Sequence, residues 1–208
     1  MSIDSASLLI PIKTTDGITL EADLYPGPRP YCILAHGKAY DKTAWKDLAT
    51  EMQDWGWTSL ALNFRGYGQS ERGDGTAYEQ DILAGLAFAR SQEAKPLVLF
   101  GASMGGAAIL SALTKDPGFV DAIILLSPAG GSEHLSTLTG HVGRGLLLYS
   151  QDDTFAGMAQ DVANHAPFPL CVRQWPGDLH AHKLLNSSQR GPEVKTSIRE
   201  FLRYHLSH

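Results

Sequence analysis

Ser103 stands in Gly101-Ala102-Ser103-Met104-Gly105, directly after the apolar run Pro96-Leu97-Val98-Leu99-Phe100 and before the small residues Gly106-Ala107-Ala108. The pattern predicts strand, sharp turn and helix. The serine hydroxyl would project from the end of a sheet, and the flanking glycines would clear space that side chains would otherwise fill. A serine in that position is a useful nucleophile only where a base takes its proton and a carboxylate orients the base. Other apolar runs of the chain end on both types. Gly145 to Ser150 leads into Gln151-Asp152-Asp153, and Leu170 to Trp175 leads into Pro176-Gly177-Asp178-Leu179-His180-Ala181-His182. Serine, aspartate and histidine thus follow one another in that chain order, each just past a strand-like segment, with Asp152 or Asp153 and His180 or His182 as candidates. The pentapeptide alone is a weak signal in a chain with 21 glycines; the coincidence of three strand ends is the strong one. Attack on a carbonyl also calls for two donors to its oxygen. Backbone amides suffice: Met104 supplies one, and Lys38 or Ala39, after His36-Gly37, supplies the other, with Lys38 preferred.

The elements that must position these groups follow from periodicity. Leu8 to Lys13 and Ile18 to Tyr25 are β-prone runs joined through Thr15-Asp16-Gly17, which predicts an antiparallel hairpin. Tyr31 to Ala35 is an uninterrupted apolar strand of the doubly buried kind. Trp45, Leu48, Met52 and Trp55 recur at helical spacing and predict a helix from about Asp41 or Thr43 to just before Gly56. Trp57 to Phe64 is the next strand. Thr76-Ala77-Tyr78-Glu79 has the capping-box pattern and predicts a helix buried along Ile82, Leu83, Leu86 and Ala89. After the Ser103 strand and helix come a strand from Val120 to Leu126, the strand Gly145 to Ser150, a helix from about Phe155 to Ala166, the strand Leu170 to Trp175, and a closing helix from Pro192 to about Leu206. Strands alternating with helices require a mostly parallel sheet covered on both faces. In such sheets ligands bind beyond the carboxyl ends of the strands, where the candidate residues fall.

Length and composition narrow the classes. With 208 residues, 43% of them hydrophobic and 19% charged, the chain suits a single domain over 1–208 with one buried core. A formal net charge of -5 with no basic run excludes general affinity for nucleic acid or anionic membrane, and small-molecule partners are expected. Cys32 and Cys171 each lie inside an apolar run and read as reduced core thiols. The first residues, Met1 to Ser7, lack a basic segment followed by an apolar one, which leads to an expected cytoplasmic location without a membrane span. His180 and His182, with Asp178 nearby, have metal-ligand types, but no metal site is expected, because a third ligand and its geometry cannot be located. His36 reads as a structural hydrogen-bonding group, and His134, His141 and His165 as surface residues.

Taken together the motifs resemble the α/β-hydrolases over nearly the whole sequence. Gly101-Ala102-Ser103-Met104-Gly105-Gly106 is similar to the family's nucleophile elbow, His36-Gly37 to its oxyanion loop, and Asn63-Phe64-Arg65-Gly66-Tyr67-Gly68-Gln69-Ser70 to its Asp-x-Arg-Gly-x-Gly-x-Ser, with Asn63 replacing the aspartate. The resemblance implies that Asp153 is the acid, with Asp152 as runner-up, and that His180 is the base. It also implies an α/β-hydrolase fold: a mostly parallel eight-stranded sheet, an N-terminal antiparallel hairpin and helices on both faces. The family's arginine at the Arg65 position braces its own loop. Only Ala129 to Arg144 separates the sixth and seventh strands, so no lid domain is expected and the site should be open. The small lidless members similar to dienelactone hydrolase are the nearest group, although their namesakes use cysteine where this chain has Ser103.

The expected activity is cleavage of a carboxylic ester or thioester without a cofactor or metal. Ser103, Asp153 and His180 would be catalytic, Met104 and Lys38 would line the oxyanion hole, and Ala39, Tyr40, Tyr67 and Pro128 would contact substrate. A perhydrolase or a small peptidase could run on the same residues, and a catalytically silent binding member of the fold is the alternative from another class.

Overall fold

The computed structural model describes residues 7–116 and 118–206, and within them the sheet carries the architecture. The expectation drawn from the N-terminal residues lies outside the described part, apart from Ser7. Eight strands form one sheet in the order β1-β2-β4-β3-β5-β6-β7-β8: β1 (Leu8–Lys13), β2 (Thr19–Tyr25), β3 (Tyr31–Ala35), β4 (Thr58–Leu62), β5 (Leu97–Ala102), β6 (Val120–Leu126), β7 (Val142–Ser150) and β8 (Leu170–Trp175). β2 pairs antiparallel with both β1 and β4, and all other pairings are parallel. The mostly parallel sheet with an N-terminal antiparallel hairpin is therefore present.

The strand order doubles back at β3, which lies between β4 and β5. From β3 the chain moves outward to β4 and then returns across β3 to β5. This is the switch point at which two crossovers diverge and leave a crevice above the strand ends. The loop after β3 and the turn after β5 share that crevice, because Ala35 is in register with Gly101.

Both faces of the sheet are covered, as fully apolar strands require. Along β3 the side chains alternate: Tyr31, Ile33 and Ala35 join one buried cluster, while Cys32 and Leu34 join the other. The first cluster is closed by α2 (Tyr78–Ser91), α3 (Met104–Leu113) and α4 (Ala156–His165). The second is closed by α1 (Lys46–Asp54), the short α5 (His182–Leu185) and α6 (Gly191–Leu206). Among the described residues no helix is long and apolar enough to cross a membrane.

Several local expectations change. The helix expected from about residue 41 begins as a 3-10 turn, Lys42–Trp45, with the Asp41 carboxylate accepting from the Thr43 N–H at 2.8 Å; the α-helix itself starts at Lys46. The capping box is not formed. Ala77 occupies the N-cap of α2 without a side-chain cap, the Thr76 hydroxyl donates to Asp74 at 3.1 Å, and Glu79 instead pairs with Lys115 at 2.7 Å. A neighbouring carboxylate for Thr76 and a distant lysine for Glu79 outcompete the helix amides. Strand β7 extends back to Val142, and Cys171 on the edge strand β8 is half-buried, whereas Cys32 is fully enclosed.

Between β6 and β7 the chain makes one short 3-10 turn, Ser132–Thr137, pinned by the buried Leu135 and Leu138. No lid domain is inserted there.

Candidate active site

Glycine governs the turn after β5 through sterics. A Cβ on Gly105 would lie 2.2 Å from the Ala35 carbonyl oxygen, and one on Gly101 would lie 2.6 Å from the Gly105 carbonyl and the Gly106 amide. Only residues without a side chain let α3 leave β5 so abruptly. The serine between them takes φ 51 and ψ -115, a conformation that costs a non-glycine residue free energy and persists because its surroundings hold it. Ser103 N–H donates to the Leu126 carbonyl at 2.9 Å, and the Ser103 carbonyl accepts from Gly106 at 3.0 Å and Ala129 at 3.2 Å. The turn is thus fastened to the neighbouring β6 as well as to its own helix.

The ends of β7 and β8 reach back toward it. His180 Nε2 lies 2.8 Å from Ser103 Oγ, and His180 Nδ1 lies 2.7 Å from Asp153 Oδ2. The Asp153 side chain is 1% exposed and that of His180 is 27% exposed, so the carboxylate is sheltered while the imidazole faces the cleft. The other Asp153 oxygen accepts from the Phe155 N–H at 3.0 Å, which fixes the carboxylate plane. Asp152, by contrast, is exposed and accepts from the Gly177 N–H at 3.2 Å, a contact that holds the turn after β8.

The loop carrying His180 is fixed to the strand tips. Ser150 Oγ donates to the Leu179 carbonyl at 2.7 Å, and the Ala181 N–H donates to Ser127 Oγ at 3.1 Å. Ala181 adopts φ 47 and ψ -115, nearly the conformation of Ser103. Ser103 and the residue that follows His180 are therefore both held against their local backbone preference.

On the other side of Ser103 the chain leaving β3 forms a turn in which the Tyr40 N–H donates to the Gly37 carbonyl at 3.0 Å, with Lys38 and Ala39 at its two central positions. A Cβ on Gly37 would lie 3.4 Å from Ser103 Cβ, so the turn abuts the serine. Among the described residues the N–H groups of Lys38, Ala39 and Met104 donate to no backbone carbonyl outside the regular elements.

Two buried imidazoles flank this turn. Phe64 N–H donates to His36 Nε2 at 3.2 Å, which leaves His36 Nδ1 as the protonated nitrogen, donating to the Gly37 carbonyl at 2.9 Å. His182 packs against Tyr40 and Trp45 with ring centroids 4.6 and 4.4 Å away, and neither of its nitrogens finds a partner. Burial pushes both rings down to about 4, so each is neutral at neutral pH. His182 therefore packs as an aromatic wall and makes no hydrogen bond to Ser103.

Arg65 braces its own loop. Its backbone N–H and its guanidinium bind both oxygens of the buried Asp81, and the guanidinium also reaches Asp16. Asn63 accepts from the Lys42 N–H at 2.7 Å and donates to Glu21 at 2.7 Å, which ties the start of the 3-10 turn to β2.

The resulting cleft has a volume of about 440 Å³ and is lined by Gly37, Lys38, Ala39, Tyr40, Ser103, Met104, Ala107, Ala129, Phe155, His180 and Ala181. Of the residues expected to contact substrate, Ala39 and Tyr40 line the cleft, together with Lys38, whereas Tyr67 and Pro128 do not. Tyr67 faces an adjoining hollow of about 570 Å³ and donates from its hydroxyl to the Lys38 carbonyl at 3.1 Å. Pro128 is buried against Gly106. Sequence reasoning missed Ala107, Ala129, Phe155 and Ala181. Phe155 lies tilted on His180 with centroids 4.8 Å apart, and its signal was its place just after Asp153, whose carboxylate caps it. Among the described residues no group of three or more His, Cys, Asp or Glu side chains is placed to hold a metal.

Comparison with known proteins gives concordant results. Residues 26–168, more than half of the chain, match the protein family described as Serine aminopeptidase, S33. A protein of Bacillus subtilis, AB hydrolase superfamily protein YisY, is 31% identical over 121 residues, a region that makes up 57% of this chain and 44% of that protein. The chain thus matches less than half the length of that curated relative. An esterase of Pyrococcus furiosus superposes with a TM-score of 0.77 at 17% identity, covering 97% of this chain and 92% of that one. Est1E of Butyrivibrio proteoclasticus with ferulic acid bound gives 0.76 at 19% identity, covering 96% and 100%. A dienelactone hydrolase of Anabaena variabilis gives 0.75 at 17%, covering 97% and 99%. At these identities the structures share the fold.

Proposed function

Because this chain belongs to the α/β-hydrolase family described as Serine aminopeptidase, S33, we propose that it is a serine hydrolase cleaving carboxylic esters or thioesters through an acyl-enzyme on Ser103. The observation that carries the reading is the continuous hydrogen-bonded line from Ser103 Oγ through His180 to the enclosed Asp153, at 2.8 and 2.7 Å. His180 Nε2 takes the hydroxyl proton as Ser103 Oγ attacks the carbonyl carbon. Asp153 holds Nδ1–H and stabilises the imidazolium. The Met104 and Lys38 amides take the negative charge on the carbonyl oxygen, and when the carbon–oxygen or carbon–sulfur bond breaks, His180 returns the proton to the leaving group. Water then repeats the sequence on the acyl-enzyme.

The lining of the cleft favours an ester over a free N-terminal residue. A peptidase that recognises an α-ammonium needs a carboxylate near the serine. Among the described residues the lining holds no Asp or Glu, its one permanently charged side chain is the cationic Lys38, and Asp153 is enclosed behind His180. In this reading residues 1–208 act as one domain on a small molecule, and the two free cysteines suit the reducing cytoplasm. Labelling with a fluorophosphonate tests the proposal: folded protein should react at Ser103 and the Ser103→Ala variant should not. Folded protein that stays unlabelled refutes it.

A further inference from the structure

Lys38 stands apart from the other charged groups near the cleft. Lys42 is buried and paired with Asp23 at 2.6 Å, and Asp41 is engaged with Thr43. Lys38 is exposed at the rim, its carbonyl takes the Tyr67 hydroxyl, and its ammonium has no ion-pair partner among the described residues. It lines both the apolar cleft over Ser103 and the adjoining hollow floored by Tyr67, so it stands where the two meet. Among the described residues no Asp or Glu side chain lines the cleft itself. An unpaired cation at the mouth of an otherwise apolar, small-residue cleft leaves one kind of substrate group electrostatically unanswered: an anion.

The position also sets the reach. The backbone N–H of Lys38 is one of the two donors assigned above to the scissile carbonyl oxygen, so its Cα lies beside that oxygen. The ammonium then covers groups within one lysine side-chain length of the reacting carbon. We propose that Lys38 determines specificity by selecting esters with a carboxylate a few bonds from the scissile carbonyl. Examples are hemiesters of short dicarboxylic acids and hydroxy acids acylated on their hydroxyl. This rests on the hydrolase reading of Ser103. Hydrolysis of such a hemiester consumes one water and yields the dicarboxylate, the alcohol and one proton, with no further reactant.

The test compares kcat/KM within two matched substrate pairs for the wild type, Lys38→Met and Lys38→Glu. One pair, para-nitrophenyl hydrogen glutarate against para-nitrophenyl pentanoate, places the anion on the acyl side. The other, para-acetoxybenzoate against its methyl ester, places it on the leaving group. The ratio within a pair is insensitive to any loss common to both members, including disturbance of the oxyanion turn. Lys38→Met should lower the anionic-to-neutral ratio about fivefold in one pair, the scale of an exposed ion pair, chiefly through KM. Lys38→Glu should lower it further. The wild-type ratio should also fall as salt rises from about 0.01 M to about 1 M and the screening length shrinks to about 3 Å. The pair that responds identifies the side of the ester that carries the anion. Ratios unchanged by both substitutions in both pairs overturn the proposal while leaving the hydrolase reading intact. Failure of every substrate together with failure of Ser103 to label overturns both.

Discussion

Replacing His182 with phenylalanine isolates the energetic consequence of burying an imidazole without partners. The folded protein holds this ring neutral down to about pH 4, against 6.5 for a free side chain. In the unfolded chain the ring binds a proton as pH falls through 6.5, while the folded protein declines it until about 4, so the unfolded state is favoured progressively between these values. The slope is about 1.4 kcal/mol per pH unit, and the full loss is about 3 kcal/mol for this ring. His36, pushed to the same range by burial, adds a similar amount. Against an ordinary stability of about 5–15 kcal/mol, two such rings are sufficient to make the protein acid-labile. Phenylalanine keeps the packing against Tyr40 and Trp45 and sacrifices no hydrogen bond, because neither nitrogen of His182 has one. The His182→Phe variant should therefore match the wild type at neutral pH and become the more stable of the two below pH 6.5, with the difference growing to about 3 kcal/mol near pH 4. Urea unfolding followed by tryptophan fluorescence across this range measures it. Parallel loss of stability in the two proteins would refute the assignment of acid sensitivity to this ring.

Other outcomes follow from specific contacts. Asp153→Asn should lower kcat by about a thousandfold or more with the fold retained, whereas Asp152→Asn should change it little, which ester hydrolysis and circular dichroism together decide. Asn63→Asp replaces a donor to Glu21 with a second carboxylate, so it should cost about 1–3 kcal/mol at neutral pH, as read by thermal unfolding. The added Glu21→Gln change should restore part of that loss. Gly105→Ala drives a methyl into the Ala35 carbonyl and should cost more than about 3 kcal/mol or abolish soluble protein, as expression yield and melting temperature would show.

The fold was legible because the central strands are bounded apolar runs and the outer ones are bounded β-prone runs. The run from Leu170 to Trp175 matches β8 residue for residue, and the turn residues after β5, β7 and β8 are where the candidate chemistry lies. Strand-end position combined with chain order nominated Ser103 and narrowed its partners to Asp152 or Asp153 and His180 or His182, since parallel strands bring their carboxyl ends to one edge whatever their separation in sequence; the resemblance to the α/β-hydrolases pointed to Asp153 and His180 within those pairs. The failures were matters of competition and of walls. Thr76 and Glu79 carry the right types for a capping box, yet Asp74 and Lys115 claim them, and nothing in a four-residue window announces a partner from elsewhere. The cleft walls escaped notice because Ala107 and Ala129 carry no chemistry of their own; they matter for where they stand. His182 looked like a rival base by composition, and only its enclosure between Tyr40 and Trp45 gives it another role.

Four of the cleft-lining side chains are single methyl groups, on Ala39, Ala107, Ala129 and Ala181. Each methyl is a short mutational step from a larger aliphatic residue, and none belongs to the hydrogen-bonded line through His180. The shape of the cleft can therefore drift, narrowing on one wall or another, while the reacting groups stay where they are. Ala181 is the exception, because its positive φ penalises any bulky or β-branched replacement. Three walls are thus open to selection and one is fixed by the backbone. On such a scaffold, substrate preference can diverge between descendants faster than the reaction itself.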